Sequence, residues 1–150
     1  KLVVDLMDKS LDLGKHRWNL YPASAVYSHC GEYDKALSSA RLGLELLPND
    51  PRWAITSTLV STLFKMSKFK EVVEALEKNI NAPDVGGLIL GVYTASHIEL
   101  GNMDKAKKIF SRIQKNGRLT KSIIKTRMFP KGDTADRLID SLEKIGPIPD

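Results

Sequence analysis

A register that returns every 34 to 36 residues constrains this chain more than any other feature. Three stretches align: GEYDKALSSARLGLELLPND from Gly31, SKFKEVVEALEKNINAPD from Ser67 and GNMDKAKKIFSRIQKNGR from Gly101, at offsets of 36 and 34 residues. Each opens on a small turn residue, Gly31, Ser67 or Gly101, with Tyr33, Phe69 or Met103 two positions later. A small or β-branched residue follows at Ala36, Val72 or Ala106, and then a one-sided apolar stripe at helical spacing. The stripes run Ala36, Ala40, Gly43, Leu44; Val72, Ala75, Leu76, Ile80; and Ala106, Ile109, Phe110, Ile113. Ahead of each turn lies another helical stretch, carrying Leu20, Ala23, Val26 and Tyr27, then Trp53, Leu59, Val60 and Leu63, then Leu90, Tyr93, His97 and Leu100. The unit is therefore helix, tight turn, helix. One such hairpin cannot bury both of its faces, so successive copies must stack.

The first unit, with small Ala23 and Ser24, aromatic Tyr27, Gly31-x-Tyr33, Ala36 and a closing Pro48, resembles the tetratricopeptide repeat, a helical hairpin of about 34 residues. The second departs at Ser67, Val72 and Asn79, and the third has Arg118 where the closing proline belongs. The resemblance implies an all-α fold: a TPR-like α-solenoid, a right-handed superhelix of helical hairpins with a C-terminal helical cap. The expected organisation is one domain with a half repeat at 1–16, hairpins at 17–50, 51–84 and 85–117, and capping helices at 118–150.

Residues 1–13 read as the second helix of a preceding unit, with Leu2, Val3, Leu6, Met7 and Leu11 as its apolar face, so the chain is expected to be a piece of a longer one. Pro22 is expected in the first turn of the following helix. At the other end, LTKSIIKTRMFP reads as a short basic helix stopped by Phe129-Pro130, because the residue before proline disfavours helix. A last helix is expected from Asp133 or Thr134, with Leu138, Ile139, Leu142 and Ile145 facing inward and Gly146-Pro147 as its stop. This ending resembles the tetratricopeptide region that follows the class III adenylate or guanylate cyclase domain in some bacterial proteins. The residues that carry the likeness are Phe129, Pro130, Asp133, Asp136, Leu138, Leu142 and Ile145-Gly146, with Pro147-Ile148-Pro149 in place of the usual ending. Such a region implies a non-catalytic interaction or regulatory role in a larger bacterial signalling protein. A free-standing scaffold or adaptor, and the sensor region of a helix-turn-helix transcription regulator, stay open beside it.

Composition excludes several other classes. At 42% hydrophobic and 27% charged residues the chain is too balanced for disorder. No apolar run approaches the roughly 20 residues of a membrane helix. Cys30 is the sole cysteine, which makes an intracellular, cytoplasmic setting the expectation. His16, His29 and His97 have no ligand partner at metal-binding spacing, so no metal or other cofactor is expected. Catalytic residues are not expected either. VGGLILG lacks the lysine-serine pair of a phosphate loop, Glu71, Glu74 and Glu77 read as a solvated helix face, and the consecutive Ser28, His29 and Cys30 point in different directions around a helix. His97 reads as a side chain packed between helices.

Two binding surfaces follow. The resemblance implies a groove lined by the first helix of each hairpin, and the helical period puts Trp18, Tyr21, Ser28, Ser57, Thr58, Ser61 and Val92 on that face, with Ala25, Ala54, Leu88, Gly91 and Ala95. No Lys, Arg or Asn for a terminal carboxylate is among them. The expected occupant is a protein or peptide segment, another domain of the same polypeptide included. The opposing reading is that these residues are small because helices pack closely there, with the C-terminal helices filling the concave side. The second surface is basic. Residues 105–131 hold ten Lys and Arg and no Asp or Glu, while the remainder carries 13 Lys and Arg against 18 Asp and Glu. Lys108, Arg112, Lys115, Lys121, Lys125 and Arg127 lie opposite the apolar stripes of two amphipathic helices, as a solvated face or in contact with the acidic tail and neighbouring domains. With no aromatic platform or reader motif among them, neither nucleic acid nor a membrane is the expected partner. A homodimer is compatible with the cyclase resemblance.

Overall fold

The computed structural model describes residues 1–47, 53–116, 119–128 and 132–150, and every regular element among them is helical. The helices are α1 (Leu2–Asp12), α2 (Arg17–Cys30), α3 (Tyr33–Leu46), α4 (Ala54–Lys65), α5 (Phe69–Leu76), α6 (Gly87–Glu99), α7 (Met103–Asn116), α8 (Lys121–Ile123, continued by a π-helical turn, Ile124–Met128) and α9 (Thr134–Glu143). The chain divides into two compact units, Lys1–Thr62 and Leu63–Asp150, with the boundary inside α4.

The three predicted turns repeat bond for bond. Gly31, Ser67 and Gly101 all adopt left-handed backbone, with φ of 82°, 57° and 78°. In each, the next residue's N–H reaches back to close the preceding helix: Glu32 to the Tyr27 carbonyl at 2.9 Å, Lys68 to Leu63 at 2.9 Å and Asn102 to His97 at 2.8 Å. The same residue's carbonyl then accepts the first bond of the following helix, from the N–H of Ala36, Val72 or Ala106 at 2.9, 3.1 and 3.1 Å. Those three side chains are all buried. Ser67 bears a Cβ where the other two turns have glycine, at a cost of about 1 kcal/mol; its hydroxyl accepts a hydrogen bond from Arg137 at 3.0 Å.

In the first unit α1 and α3 both pack on α2. Ala23, Tyr27 and Ala36 form a core onto which Val4, Met7 and Leu11 of α1 close. The inner face of α1 is thus turned from the expected one, and Leu2, Val3 and Leu6 are exposed. Gly43 lets α3 come close to its neighbours: a Cβ there would stand 3.1 Å from Ile55 and 3.6 Å from Leu20. Pro22 lies well inside α2, which begins at Arg17, so it removes one N–H from the ladder rather than occupying the first turn.

In the second unit α6 is buried on every side from Ile89 to Ile98, as its nearly unbroken apolar sequence requires. α5, α7 and α9 cover it. A Cβ on Gly91 would stand 3.0 Å from Leu119 and 3.6 Å from Leu142 of α9. The chain end returns to this unit, with Ile148 buried and the Pro149 carbonyl accepting the Lys121 N–H at 2.8 Å. α5 stops at Leu76, short of the expected stripe; Ile80 is still buried, but Ala75 is exposed. The basic helix holds only Lys121–Ile123 before the π turn, and α9 begins at Thr134 as expected but ends at Glu143, ahead of Gly146. Pro48, Arg118, Phe129 and Pro130 lie outside the described residues.

Candidate functional site

The predicted groove residues do not share one open face. In the first unit Trp18 is 79% exposed and Tyr21 44%, one turn apart on α2. Ser28, Thr58 and Ser61 are buried, and Ser57 is half-buried. The hydroxyls are directed into the fold. Ser57 and Thr58 donate to the Ala54 carbonyl at 2.8 and 3.3 Å, Ser61 to Thr58 at 3.1 Å, and the Thr62 hydroxyl meets Ser28 at 2.8 Å. Helical Ser and Thr commonly bond back to their own helix in this way. In the second unit Val92 is fully buried within α6, and α9 covers the neighbouring Gly91. Val92, like Gly91 and Ala95, is closed to solvent in this structure. Of the predicted set, the exposed side chains are Trp18 and Tyr21.

The basic residues separate into two groups. On α8 and its π turn the charges meet the acidic tail: Lys121 pairs with Glu143 at 2.8 Å and lies 3.9 Å from Asp150, and Lys125 pairs with Asp136 at 2.9 Å. The Glu143 bond holds the Lys121 ammonium above its ordinary range. Arg127 is exposed. On α7, Lys108 and Lys115 are exposed, while Arg112 is half-buried and donates from Nη1 to the Ile80 carbonyl at 3.0 Å and to Asn81 at 3.4 Å.

The α7 group borders a feature that the sequence reading missed. Each unit has a crevice on the same repeat positions. The first, about 410 Å³, is lined by Asp8, Leu11 and Asp12 of α1 and by Lys35, Ser38, Ser39 and Leu42 of α3. The second, about 250 Å³, has Glu77, Ile80 and Asn81 in the first set of places and Lys105, Lys108, Ile109 and Arg112 in the second. The α3 and α7 positions differ by 70, the sum of the offsets 36 and 34, and the other three by 69 (77 less 8). An ion pair of 2.7 Å crosses each crevice, Asp8 with Lys35 and Glu77 with Lys105. Asp8 also accepts the Tyr27 hydroxyl at 2.7 Å. The Lys35 and Tyr27 bonds hold its carboxyl below the usual range, while burial and the Asp8 bond push the Tyr27 phenol up. Lys105 likewise holds Glu77 low.

Where the crevices differ is charge. The first is bordered by Asp8, Asp12 and Asp34 against Lys15 and Lys35, a net of −1. The second has Lys105, Lys108 and Arg112 against Glu77, a net of +2. At its base Tyr93 is 1% exposed and its hydroxyl has no hydrogen-bond partner; burial pushes the phenol above its ordinary range, against a smaller opposing pull from the nearby Lys105 ammonium. On the other side of the Glu77–Lys105 pair, His97 is 2% exposed with its Nε2 unpartnered. Its ring stands edge-on to Tyr93 at 4.6 Å between centroids. Burial, with a smaller contribution from Lys105, pushes the imidazole below its ordinary range.

Compared with known proteins, the chain matches no family model, no curated protein sequence and no solved structure. Among the described residues no three His, Cys, Asp or Glu side chains converge to hold a metal ion, and no helix is long and apolar enough to cross a membrane. Two surfaces stand out among the described residues: an exposed aromatic pair on α2 and a basic crevice beside α7. The signal for the crevice was present in the repeat alignment, where Lys35 and Lys105 are 70 positions apart, but it appears only when the acidic partners on the preceding helices are aligned as well.

Proposed function

We propose that this chain is a non-catalytic interaction and regulatory region of the tetratricopeptide type within a larger bacterial signalling protein, a nucleotide cyclase being the favoured parent. The observation that carries the reading is the turn found three times, at Gly31, Ser67 and Gly101, with the same closing and opening hydrogen bonds. A hairpin copied with that fidelity serves to build a surface by stacking. The exposed pair Trp18 and Tyr21 supplies the contact, since large aromatic side chains dominate protein interfaces. The partner is a protein or peptide segment, including another domain of the same polypeptide, in the cytoplasm. The α9 helix behind Asp133, with Leu138 and Leu142 buried, agrees with the cyclase-linked ending.

The test is to read the coding sequence flanking these 150 residues and to assay the whole product for cyclic nucleotide formation from ATP and GTP. Activity that changes when the region is deleted, or when Trp18→Ala and Tyr21→Ala are combined, supports a regulatory arm. A whole protein of repeats with no cyclase activity replaces that reading with a scaffold.

A further inference from the structure

We propose that the crevice between α7 and the turn after α5 binds the phosphoryl group of a small soluble ligand, held by Lys105, Lys108 and Arg112 with the Tyr93 hydroxyl at its base. Four observations on the second unit converge. Lys105, Lys108 and Arg112 follow one another at helical steps of three and four, and like charges at that spacing repel. The single carboxylate in the lining, Glu77, is already engaged by Lys105, so it leaves Lys108 and Arg112 uncompensated within the crevice. Arg112 is oriented by the Ile80 carbonyl and Asn81 through Nη1 alone, which leaves its Nε and Nη2 donors for a second acceptor. Tyr93 buries a hydroxyl without a partner, which a fold tolerates only at a cost unless something fills the place.

The equivalent crevice in the first unit shows that these cations are not needed for helix packing. There Ser38 and Leu42 occupy the places of Lys108 and Arg112, and Asp12 that of Asn81. The three differences each move the charge in the same direction. A net of +2 matches a dianion, and the volume of about 250 Å³ is ample for a phosphoryl group and leaves room beside it for part of an ester. An arginine fixed by the fold and two lysines as point charges suit the tetrahedral oxygens.

The experiment is a ¹H–¹⁵N titration of the intact chain at constant ionic strength, with inorganic phosphate in one arm and phenyl phosphate in the other. Expected are saturable shifts centred on Tyr93 and Lys105 to Arg112, with a Kd of about 10 mM or tighter. Saturation by inorganic phosphate identifies the free ion as sufficient, and saturation by phenyl phosphate alone identifies an ester. Lys108→Ser with Arg112→Leu, which restores the first unit's residues, should weaken binding about tenfold or more. Tyr93→Phe should weaken it with the fold unchanged, and keeps the test open should the double variant fail to fold. Lys115→Ser, on the same helix outside the lining, should leave binding as it was. Shifts that never saturate in either arm, or an equal loss with Lys115→Ser, would overturn the proposal in favour of diffuse electrostatic attraction.

Discussion

Truncating one side chain of α9 decides whether the face of α6 is closed. Leu142 is fully buried, and its Cδ1 stands 3.6 Å from the place a Cβ on Gly91 would take. Leu142→Ala removes that apolar contact and leaves a void against a helix that is itself buried on every side. Core Leu→Ala changes cost about 2.7–5 kcal/mol, more where the surroundings cannot collapse. We expect about 3 kcal/mol, the lower part of that range. With a urea dependence of about 1 kcal/mol per molar for a unit of this size, the midpoint of its transition should fall by roughly 2–3 M. Far-UV circular dichroism in urea reads the change. Leu100→Ala, at an exposed position of the same unit, is the control and should stay within about 0.5 kcal/mol. A loss below about 1 kcal/mol for Leu142→Ala, indistinguishable from the control, would refute the docking of α9 over Gly91.

Three further outcomes are expected. Gly31→Ala and Gly101→Ala should each destabilise by about 1 kcal/mol in chemical denaturation, because a Cβ meets nothing within 4 Å at either site and only the positive φ resists it; Ser67→Gly should cost nothing or stabilise slightly. His97 is held neutral below its ordinary value of 6.5, so the unfolded chain takes up its proton first; its contribution should be complete above about pH 6.5 and decline as the pH falls toward the lower folded value, and His97→Leu should flatten that part of a stability–pH curve. Trp18→Ala with Tyr21→Ala should leave stability within about 1 kcal/mol, since both side chains are exposed, while binding of the partner identified in the whole protein is lost in a direct affinity measurement.

How much of this was legible depended on whether the signal was local. The turns at Gly31, Ser67 and Gly101 were, because a left-handed residue between two apolar stripes leaves few alternatives. The burial of His97 and the start of α9 at Thr134 followed from the same patterns. The orientation of α1 was not, since it has apolar residues on two faces and the choice of Val4, Met7 and Leu11 was made by Tyr27 and Ala36 of other helices. Nor was the burial of Thr58, Ser61 and Val92 legible. Small residues line an open surface and a close helix contact equally well, and which one holds depends on what else packs there. For Gly91 the answer lies about 50 residues away, in Leu142 of α9.

The repeat itself supplies a way to separate scaffold from function within one chain. Positions that must serve the hairpin return in kind: a left-handed residue at the turn, a buried Ala36, Val72 or Ala106 after it, and a cross-helix ion pair at Asp8–Lys35 and again at Glu77–Lys105. Positions free of that duty can drift, and drift in a solvated lining should scatter both signs of charge. Among the positions that line both crevices it does not scatter: Asp12 gives way to Asn81, Ser38 to Lys108 and Leu42 to Arg112, each step toward positive, while Lys15 and Asp34 line the first crevice alone. Leu42 to Arg112 is the most telling, because a half-buried leucine is the residue that packing alone would keep. An arginine there, anchored by a backbone carbonyl beside a buried hydroxyl without a partner, is what an anion would require and what the hairpin does not.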